Sequence, residues 1–200
     1  MKPLTVETVL SQIADHGREG RLFIESRPEA ERVPALCGAL ATDALARNRS
    51  IVCNIMASNP QREYLPALLD TLSTEDEGLL SACADAIGNV SQTFPPTEEL
   101  KAALGEKLMA LLSSDATPEG AKGALIYAIG LLRYSAAHHL LIELLDHDKA
   151  MVRWNAAEAL SHLGDEAAIP YLRKRLENED SPRSRRIMQM AIGYLSEGQG

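Results

Sequence analysis

The amino-acid sequence predicts an all-α fold, a right-handed α-α superhelix in which helical hairpins stack into a solenoid. Three observations support this prediction. A degenerate phrase recurs about every 32 residues, which is the spacing of stacked helical repeats. Hydrophobic residues make up 46% of the chain but aromatic residues only 4%, which favours closely packed Ala and Leu helices over sheets. Residues typical of helix ends, namely Pro, Ser, Asp and Gly, separate the apolar segments.

The repeated phrase pairs a small or polar residue with an aliphatic one inside each second helix. Each unit can bury its apolar face only against its neighbours, so the pattern predicts one domain of about five hairpins over residues 1–200. The longest interval contains a proline-rich insertion at 93–97. Gly130 and Gly193 lie inside predicted helices, where a missing side chain permits close helix approach. The phrases begin at Asn54, Ala86, Ala128, Ala159 and Ala191.

The clearest unit lies between residues 138 and 164. Residues 138–145 predict a first helix, and Asp146 and Asp148 are candidate N-caps in the turn that follows. Residues 151–163 predict a second helix, with Gly164 as its C-cap. One face of this second helix is apolar at helical spacing and predicts the core. It carries Val152, Ala156, Ala159, Leu160 and Leu163.

This unit resembles the HEAT repeat, in the short variety also found in phycobilisome lyases. The resemblance is carried by the phrase L-L-x-L-L-D-x-D-x-x-V-R-x-x-A-A-x-A-L-x-x-L-G. The following unit, at 165–195, is similar, with Pro170 early in its first helix and Ser181-Pro182 at the start of its second. The resemblance is strongest at 138–195, weaker at 60–132 and weakest before that.

The earlier helices follow from apolar periodicity and capping residues. Asn59 with Pro60, and Thr117 with Pro118, are predicted to begin helices as N-cap and first residue. Segment 16–28 is left open. The predicted helices are a cap helix at 4–15 and pairs at 29–40 with 42–56, 60–72 with 77–90, and 97–112 with 118–132.

The resemblance implies that the second helices line a concave inner surface that holds a partner. Trp154, Glu158 and His162 are spaced i, i+4, i+8 and share a face that is not the predicted core face. Trp154 is the only tryptophan, and large aromatic residues on rigid surfaces are typical binding anchors. The alternative, that Trp154 fills a gap over Gly123, stays open. The expected partner-binding residues are Asp85, Asn89, Tyr127, Trp154, Glu158, His162, Arg186 and Tyr194.

The resemblance also implies a ladder of exposed ion pairs between adjacent turns, in which each pair contributes about 0.2–1 kcal/mol. Its basic members are Lys122, Arg153 and Arg185, and its turn residues are Asp115, Asp146 and Asn178.

Helix 183–195 is apolar around most of its circumference, which is typical of a buried helix. It is therefore predicted to contact a second copy in a two-fold dimer, or the partner. The alternative is that it buries most of these residues against 167–176. The residues concerned are Ile187, Met188, Met190, Ala191, Ile192, Tyr194 and Leu195.

Other classes of site are disfavoured. The histidines at 138, 139, 147 and 162 do not converge on a metal, and Cys37, Cys53 and Cys83 form no CxxC motif, so we expect no metal and no cofactor. No nucleophile elbow, P-loop, HExxH or dinucleotide loop occurs, so no catalytic residue is predicted.

Residues 1–100 carry 8 basic and 15 acidic side chains, and residues 101–200 carry 12 basic and 13 acidic side chains, so nucleic acid is a disfavoured partner. There is no apolar run long enough for a membrane span and no signal-type segment after Met1, which predicts a cytoplasmic protein.

The sequence therefore predicts a non-enzymatic scaffold or adaptor that binds another protein on its concave face. Two alternatives remain. HEAT-like alkylpurine DNA glycosylases use a basic, aromatic cleft with an acidic residue, which Trp154, Tyr127 and Asp85 resemble in part. The likeness to phycobilisome-lyase repeats implies a chaperone or lyase subunit.

Overall fold

A computed structural model describes residues 3–42 and 44–198, and every regular element within them is helical. Parts of three predictions fall outside the described residues: the amino terminus at Met1 and Lys2, Asp43 in the predicted helix 42–56, and the domain end at 199–200. The helices are α1 (Val6–Glu25), α2 (Glu29–Leu40), α3 (Ala46–Ser58), α4 (Leu65–Thr71), α5 (Glu77–Thr93), α6 (Glu98–Leu112), α7 (Glu119–Leu131), α8 (His138–Glu143), α9 (Ala150–Leu163), α10 (Ile169–Glu177) and α11 (Pro182–Ser196).

The chain divides into two compact units between Leu100 and Lys101. In the first unit, α3 and α5 form the main helix pair, α1 packs on α2 and α3, and α4 packs on α5. In the second unit, α9 packs between α7 and α11, and α10 packs on α11. The repeated phrases contribute core residues to both units, because Ile55, Ile87, Ile129 and Leu160 are fully buried.

Helix α1 is longer than the predicted cap helix. It continues to Glu25 across a kink at Gly17, whose φ of 49° and ψ of −116° lie in a region open to glycine. Most of the segment left open by the sequence is therefore helical. No helix in the described part of the chain is both long and apolar enough to cross a membrane.

Two helices begin later than predicted because the expected first residues bond elsewhere. Thr42 donates to the Ala39 carbonyl and accepts from the Ala44 amide, so it closes α2, and α3 begins at Ala46. The prediction that Asn59 and Pro60 begin a helix is wrong. Asn59 is the C-cap of α3, and α4 begins only at Leu65 after a 3-10 turn at Arg62–Tyr64.

The predicted caps at Gly164 and Ser181 are correct, and those at Thr117 and at the start of α9 are wrong. Gly164 has a left-handed φ of 73° at the end of α9, and the Ser181 hydroxyl accepts from the Ser184 amide at 3.3 Å. Thr117 is not a cap, because its hydroxyl donates to the Leu111 carbonyl at 2.6 Å while Pro118 takes the N-cap position of α7. The N-cap position of α9 belongs to Lys149, not to an aspartate.

A bidentate ion pair connects α9 to the turn before α11. The Nε and Nη2 atoms of Arg153 donate to the two Glu179 carboxylate oxygens, each at 2.7 Å, and Glu179 is only 1% exposed. Nη1 of Arg153 also donates to the carbonyls of His147 and Asp148, each at 2.8 Å. The Ser181 amide donates to Glu179 at 2.9 Å. Arg153 therefore links three backbone segments around one buried carboxylate.

This ion pair corrects the predicted ladder. Arg153 pairs with Glu179 rather than with Asp146, which instead lies 3.8 Å from the Arg175 Nε atom and is largely exposed. Lys122 pairs with Glu119 on its own helix, at 2.9 Å. Removing one partner of a buried pair costs far more than removing one partner of an exposed pair, because a buried charge then loses its main compensation. For Glu179 the remaining cation would be Arg175, whose Nη2 atom lies 3.4 Å from the carboxylate.

The two glycines predicted to permit close helix approach behave differently. A Cβ atom on Gly130 would lie 2.7 Å from the Cα atom of Ala159, so α7 and α9 touch backbone to backbone there. On Gly193 it would meet no described atom within 4 Å, so the prediction is wrong for α11. Equivalent positions in two repeats thus have opposite surroundings.

We predict opposite stability changes for alanine at these two positions. Gly130→Ala should lower the free energy of unfolding by about 1–3 kcal/mol, because the new methyl group must push α9 away. Gly193→Ala should raise it by about 0.5–1 kcal/mol, because alanine favours the helix and the space is open. Urea denaturation at low protein concentration measures both. Equal effects at the two positions would contradict the packing described here.

We also predict a pH-dependent contribution from Glu179. The hydrogen bonds from Arg153 hold the pKa of Glu179 below its usual value, with a smaller contribution from the Ser181 amide. Its stabilisation is therefore present above the unfolded pKa of about 4.3 and is lost as the pH falls through the folded pKa.

Glu179→Gln should accordingly lower the free energy of unfolding by about 3–5 kcal/mol at neutral pH, and by less in acid. The neighbouring exposed Glu177→Gln is the matched control and should change stability little at either pH. Thermal or urea denaturation at both pH values measures this. A difference between wild type and Glu179→Gln that did not shrink in acid would show that the carboxylate charge is not what stabilises the fold.

Candidate functional site

Helix α9 has two faces: the side chains on one face point into the core, and those on the other, its surface row, lie towards solvent. Val152, Ala156 and Leu160 are fully buried, as predicted, whereas Trp154 and Glu158 are half-buried on the other side. Leu163, predicted on the core face, is also only half-buried. The surface row is held in place because the Arg153–Glu179 pair anchors the helix one residue before Trp154.

Trp154 contacts α11 through a cation. The guanidinium carbon of Arg183 lies 4.0 Å from the centroid of the indole ring, within the range of a cation–π interaction. The atoms nearest to a Cβ built on Gly123 belong to Asn155 and Met151. Met151 and Asn155, rather than Trp154, therefore lie closest to Gly123, and Trp154 lies beside the amino-terminal end of α11.

A groove runs between α9 and α11 and has a volume of about 210 Å³. Two of its large apolar side chains are exposed to solvent, Met190 by 62% and Tyr194 by 42%. Predicted site residues Glu158, His162 and Tyr194 meet in this groove. It is lined by Glu158, Ser161, His162, Ile187, Met190, Ala191 and Tyr194.

A second hollow, of about 520 Å³, lies at the amino-terminal end of α11. The predicted residue Arg186 lines it together with Arg183, and Ile187 and Met190 line both this hollow and the groove. The two depressions therefore share apolar residues and differ in charge, with two arginines at one end and Glu158 at the other.

The rings of Tyr127 and His162 connect α7 to α9. Their centroids are 6.1 Å apart and their planes are inclined by 74°, an edge-to-face arrangement. Burial lowers the pKa of His162, although the nearby Glu158 carboxylate opposes this shift. His162 is therefore neutral at pH 7 and can both donate and accept a hydrogen bond.

The remaining predicted residues, Asp85 and Asn89, lie on α5 in the first unit. Asp85 is half-buried, and burial raises the pKa of its carboxyl group. The Asn89 side chain donates to the Asp85 carbonyl at 2.8 Å. Six of the eight predicted residues thus lie in the second unit on α7, α9 and α11, and two lie in the first.

Ile187 and Met190 were predicted to contact a second copy or the partner, but they were not among the eight predicted partner-binding residues. Met190 stands 32 residues after Glu158, at the same position of the next repeat, and that spacing is the signal that could have identified it. On α11, Met188, Ala191 and Leu195 are buried, which is three of the seven apolar residues and fewer than the packing alternative predicted, while Met190 and Tyr194 remain exposed. The helix is therefore apolar on both its packed face and part of its solvent face.

Two further side chains that could bind a ligand, His138 and Cys83, lie close to groups of the protein itself. Nδ1 of His138 lies 3.0 Å from an Asp165 oxygen, and the Cys83 thiol donates to the Leu68 carbonyl at 3.0 Å. Within residues 3–42 and 44–198, no group of three or more His, Cys, Asp or Glu side chains is arranged to hold a metal ion.

Comparisons with known proteins agree with this architecture. A designed armadillo repeat protein in complex with the peptide (KR)4 is 19% identical, with a TM-score of 0.67 over 95% of this chain and 97% of that chain. The phycocyanin lyase structure from Nostoc sp., a complex of CpcE and CpcF, contains a chain that is 20% identical, with a TM-score of 0.63 over 99% of this chain and 81% of that chain. An engineered protein is 18% identical, with a TM-score of 0.62 over 96% and 97%.

At these identities the likeness shows the fold, and it confirms the predicted all-α helical-repeat class. No curated protein matches the chain with significance. Residues 105–193 match the family of HEAT repeats, which covers α7, α8, α9, α10 and nearly all of α11. The chain therefore contains a segment, residues 105–193, that is similar to HEAT repeats.

Proposed function

We propose that this protein is a non-enzymatic scaffold whose second unit binds a segment of another protein along α9. The observation that carries the proposal is the groove beside α9, in which Met190 and Tyr194 are exposed and which Glu158 lines one turn after Trp154, the only tryptophan of the chain. Exposed apolar side chains in a concave surface gain free energy when a partner removes them from water.

The polar residues around the groove would orient such a segment. Glu158 lies at one side, and Arg183 and Arg186 lie at the amino-terminal end of α11. An apolar centre with a charged rim is the common composition of protein interfaces, where the centre supplies affinity and the rim supplies specificity. Neutral His162 adds a hydrogen-bonding group without adding charge.

The packing of α9 also supports the proposal. Helix α9 packs on α7 through the Gly130 contact and is tied to the turn before α11 through Arg153, so its surface row is rigid. A rigid surface loses little conformational entropy on binding. Structural neighbours with the same fold hold a peptide or form a complex of two proteins, which supports a protein as the class of partner.

The proposal predicts that Trp154 is a binding anchor. Peptides selected from a random phage-displayed library on the wild-type protein are to be synthesised and titrated by calorimetry. Trp154→Ala should weaken their binding by about 30-fold or more, because truncating an anchor commonly costs at least 2 kcal/mol. Helical content by circular dichroism should remain that of the wild type.

Tyr171→Ala is the matched control for removing an exposed aromatic side chain. Tyr171 is 50% exposed on α10 and lines a separate hollow with Asp146 and Arg175, whereas Trp154 contacts Arg183 of the hollow on α11. Tyr171→Ala should therefore bind the same peptides as wild type. Failure to select any peptide, or equal binding by both variants, would contradict the proposal. Salt-sensitive binding of a duplex DNA probe that depended on Trp154 would instead favour the nucleic-acid alternative.

A further inference from the structure

The solvent-facing side of α11 carries a continuous stripe of exposed side chains. A helix turns about 100° per residue, so residues four and seven apart from a central residue lie within about 40° of it. Four side chains stand at these distances from Met190, two before it and two after it. The stripe comprises Arg183, Arg186, Met190, Tyr194 and Glu197, all of which are exposed.

The chemistry of this stripe is complementary to itself about Met190. Arg183 and Glu197 lie at equal distances along the helix on either side, and they carry opposite charges. Arg186 and Tyr194 also lie at equal distances from Met190, and a cation and an aromatic ring are chemically suited to contact each other. Reversing the helix direction therefore brings each group opposite a suitable partner.

We propose that a second copy of this chain docks on the stripe, with the two α11 helices antiparallel around a two-fold axis at Met190. Arg183 then meets Glu197 of the second copy, and Arg186 meets Tyr194 of the second copy. The two Met190 thioethers meet on the axis, where a flexible apolar side chain fills the contact. A two-fold axis makes each of the off-axis contacts occur twice.

The charges of the stripe favour an antiparallel second copy of α11 as the docked partner. A parallel pair would place Arg183 against Arg183 and Glu197 against Glu197, whereas the antiparallel pair replaces both repulsions with attractions and also opposes the helix dipoles favourably. An isologous interface needs a patch that complements itself, which this stripe does. Residues 101–200 carry 12 basic and 13 acidic side chains, so two such halves approach without strong net repulsion.

Two details of the structure favour the contact. The Arg183 guanidinium is already positioned 4.0 Å from the Trp154 ring, which lowers the entropy lost when it forms an ion pair. Gly193, beside the stripe, has open space where its Cβ would be, so a second helix can approach closely. One helix pair is a small interface, and we expect a dissociation constant of about 10–100 µM.

The inference goes beyond the proposed function and does not depend on it. In the dimer the whole stripe is covered, so the second copy and a partner segment in the groove compete for Met190 and Tyr194. A different protein then has Tyr127, Trp154, Glu158 and His162 on α7 and α9 as its binding residues.

Analytical ultracentrifugation across micromolar to submillimolar concentration tests the pairing. Wild type should associate to a dimer and no further, because a two-fold interface closes on itself. Glu197→Arg places two arginines opposite each other, and Arg183→Glu places two carboxylates opposite each other. Each single variant should raise the dissociation constant by about tenfold or more, because both symmetric contacts change from attraction to repulsion.

Charge exchange makes the test specific. The double variant Arg183→Glu with Glu197→Arg restores both ion pairs in reverse and should dimerise again. An equimolar mixture of the two single variants should form a heterodimer, since each variant complements the other at both contacts. Glu177→Arg makes the same charge change at an exposed residue of α10 and should leave association unchanged.

Two results would overturn the inference. One is a wild-type protein that stays monomeric at the highest concentration. The other is a dimer that is indifferent to the single reversals or is not restored by the double variant and the mixture. Circular dichroism of each variant confirms that the helices are intact, and the restoring combinations exclude a loss of folding as the cause of dissociation.

Discussion

The buried ion pair between Arg153 and Glu179 is the interaction on which the surface of the second unit depends. Arg153 belongs to α9, and Glu179 lies in the turn before α11, so the pair crosses from one repeat to the next. The same guanidinium also binds the backbone before α9, and the same carboxylate accepts the Ser181 amide. Ser181 in turn caps α11. The start of α9 and the start of α11 are thus held at a single charged centre.

This arrangement separates the packed face of a helix from the face that we propose to bind a partner. On α9, small and aliphatic residues face α7 and α11, and Gly130 allows the backbones of α7 and α9 to touch. Trp154, Glu158 and His162 stand on the other side, where they are half-buried. Repeat proteins with a common core can therefore present different surfaces, and the fold alone does not specify the partner.

Helix α11 shares its packed face with α9 but differs from it in the residues on its exposed side. Its packed face matches the core face of α9, since Met188, Ala191 and Leu195 are buried. Its other side keeps Met190 and Tyr194 exposed between charged residues. This combination suits reversible contact, because the apolar area is too small for obligate association and the charges select the geometry. Self-association and partner binding would then share one helix without sharing all of its residues.

Local features of the structure were determined by the sequence alone. The repeat of small and aliphatic residues predicted the helices and their buried positions, and Gly164 and Ser181-Pro182 marked helix ends correctly. These signals act within a few residues, through the φ preference of glycine, the fixed ring of proline and a hydroxyl that reaches the next turn. The shared register of Trp154, Glu158 and His162 follows from the helical period in the same way.

Contacts between segments distant in sequence were decided only by the tertiary structure. Arg153 pairs with Glu179, 26 residues away, and not with the nearby Asp146, because the turn before α11 brings the Glu179 carboxylate into a buried, hydrogen-bonded position. Thr117 and Asn59 bonded to the ends of preceding helices instead of starting new ones. Gly130 and Gly193 occupy one position of the repeat, yet only Gly130 has a helix backbone against it. A local pattern is identical for both glycines, and only the packing of neighbouring repeats distinguishes them.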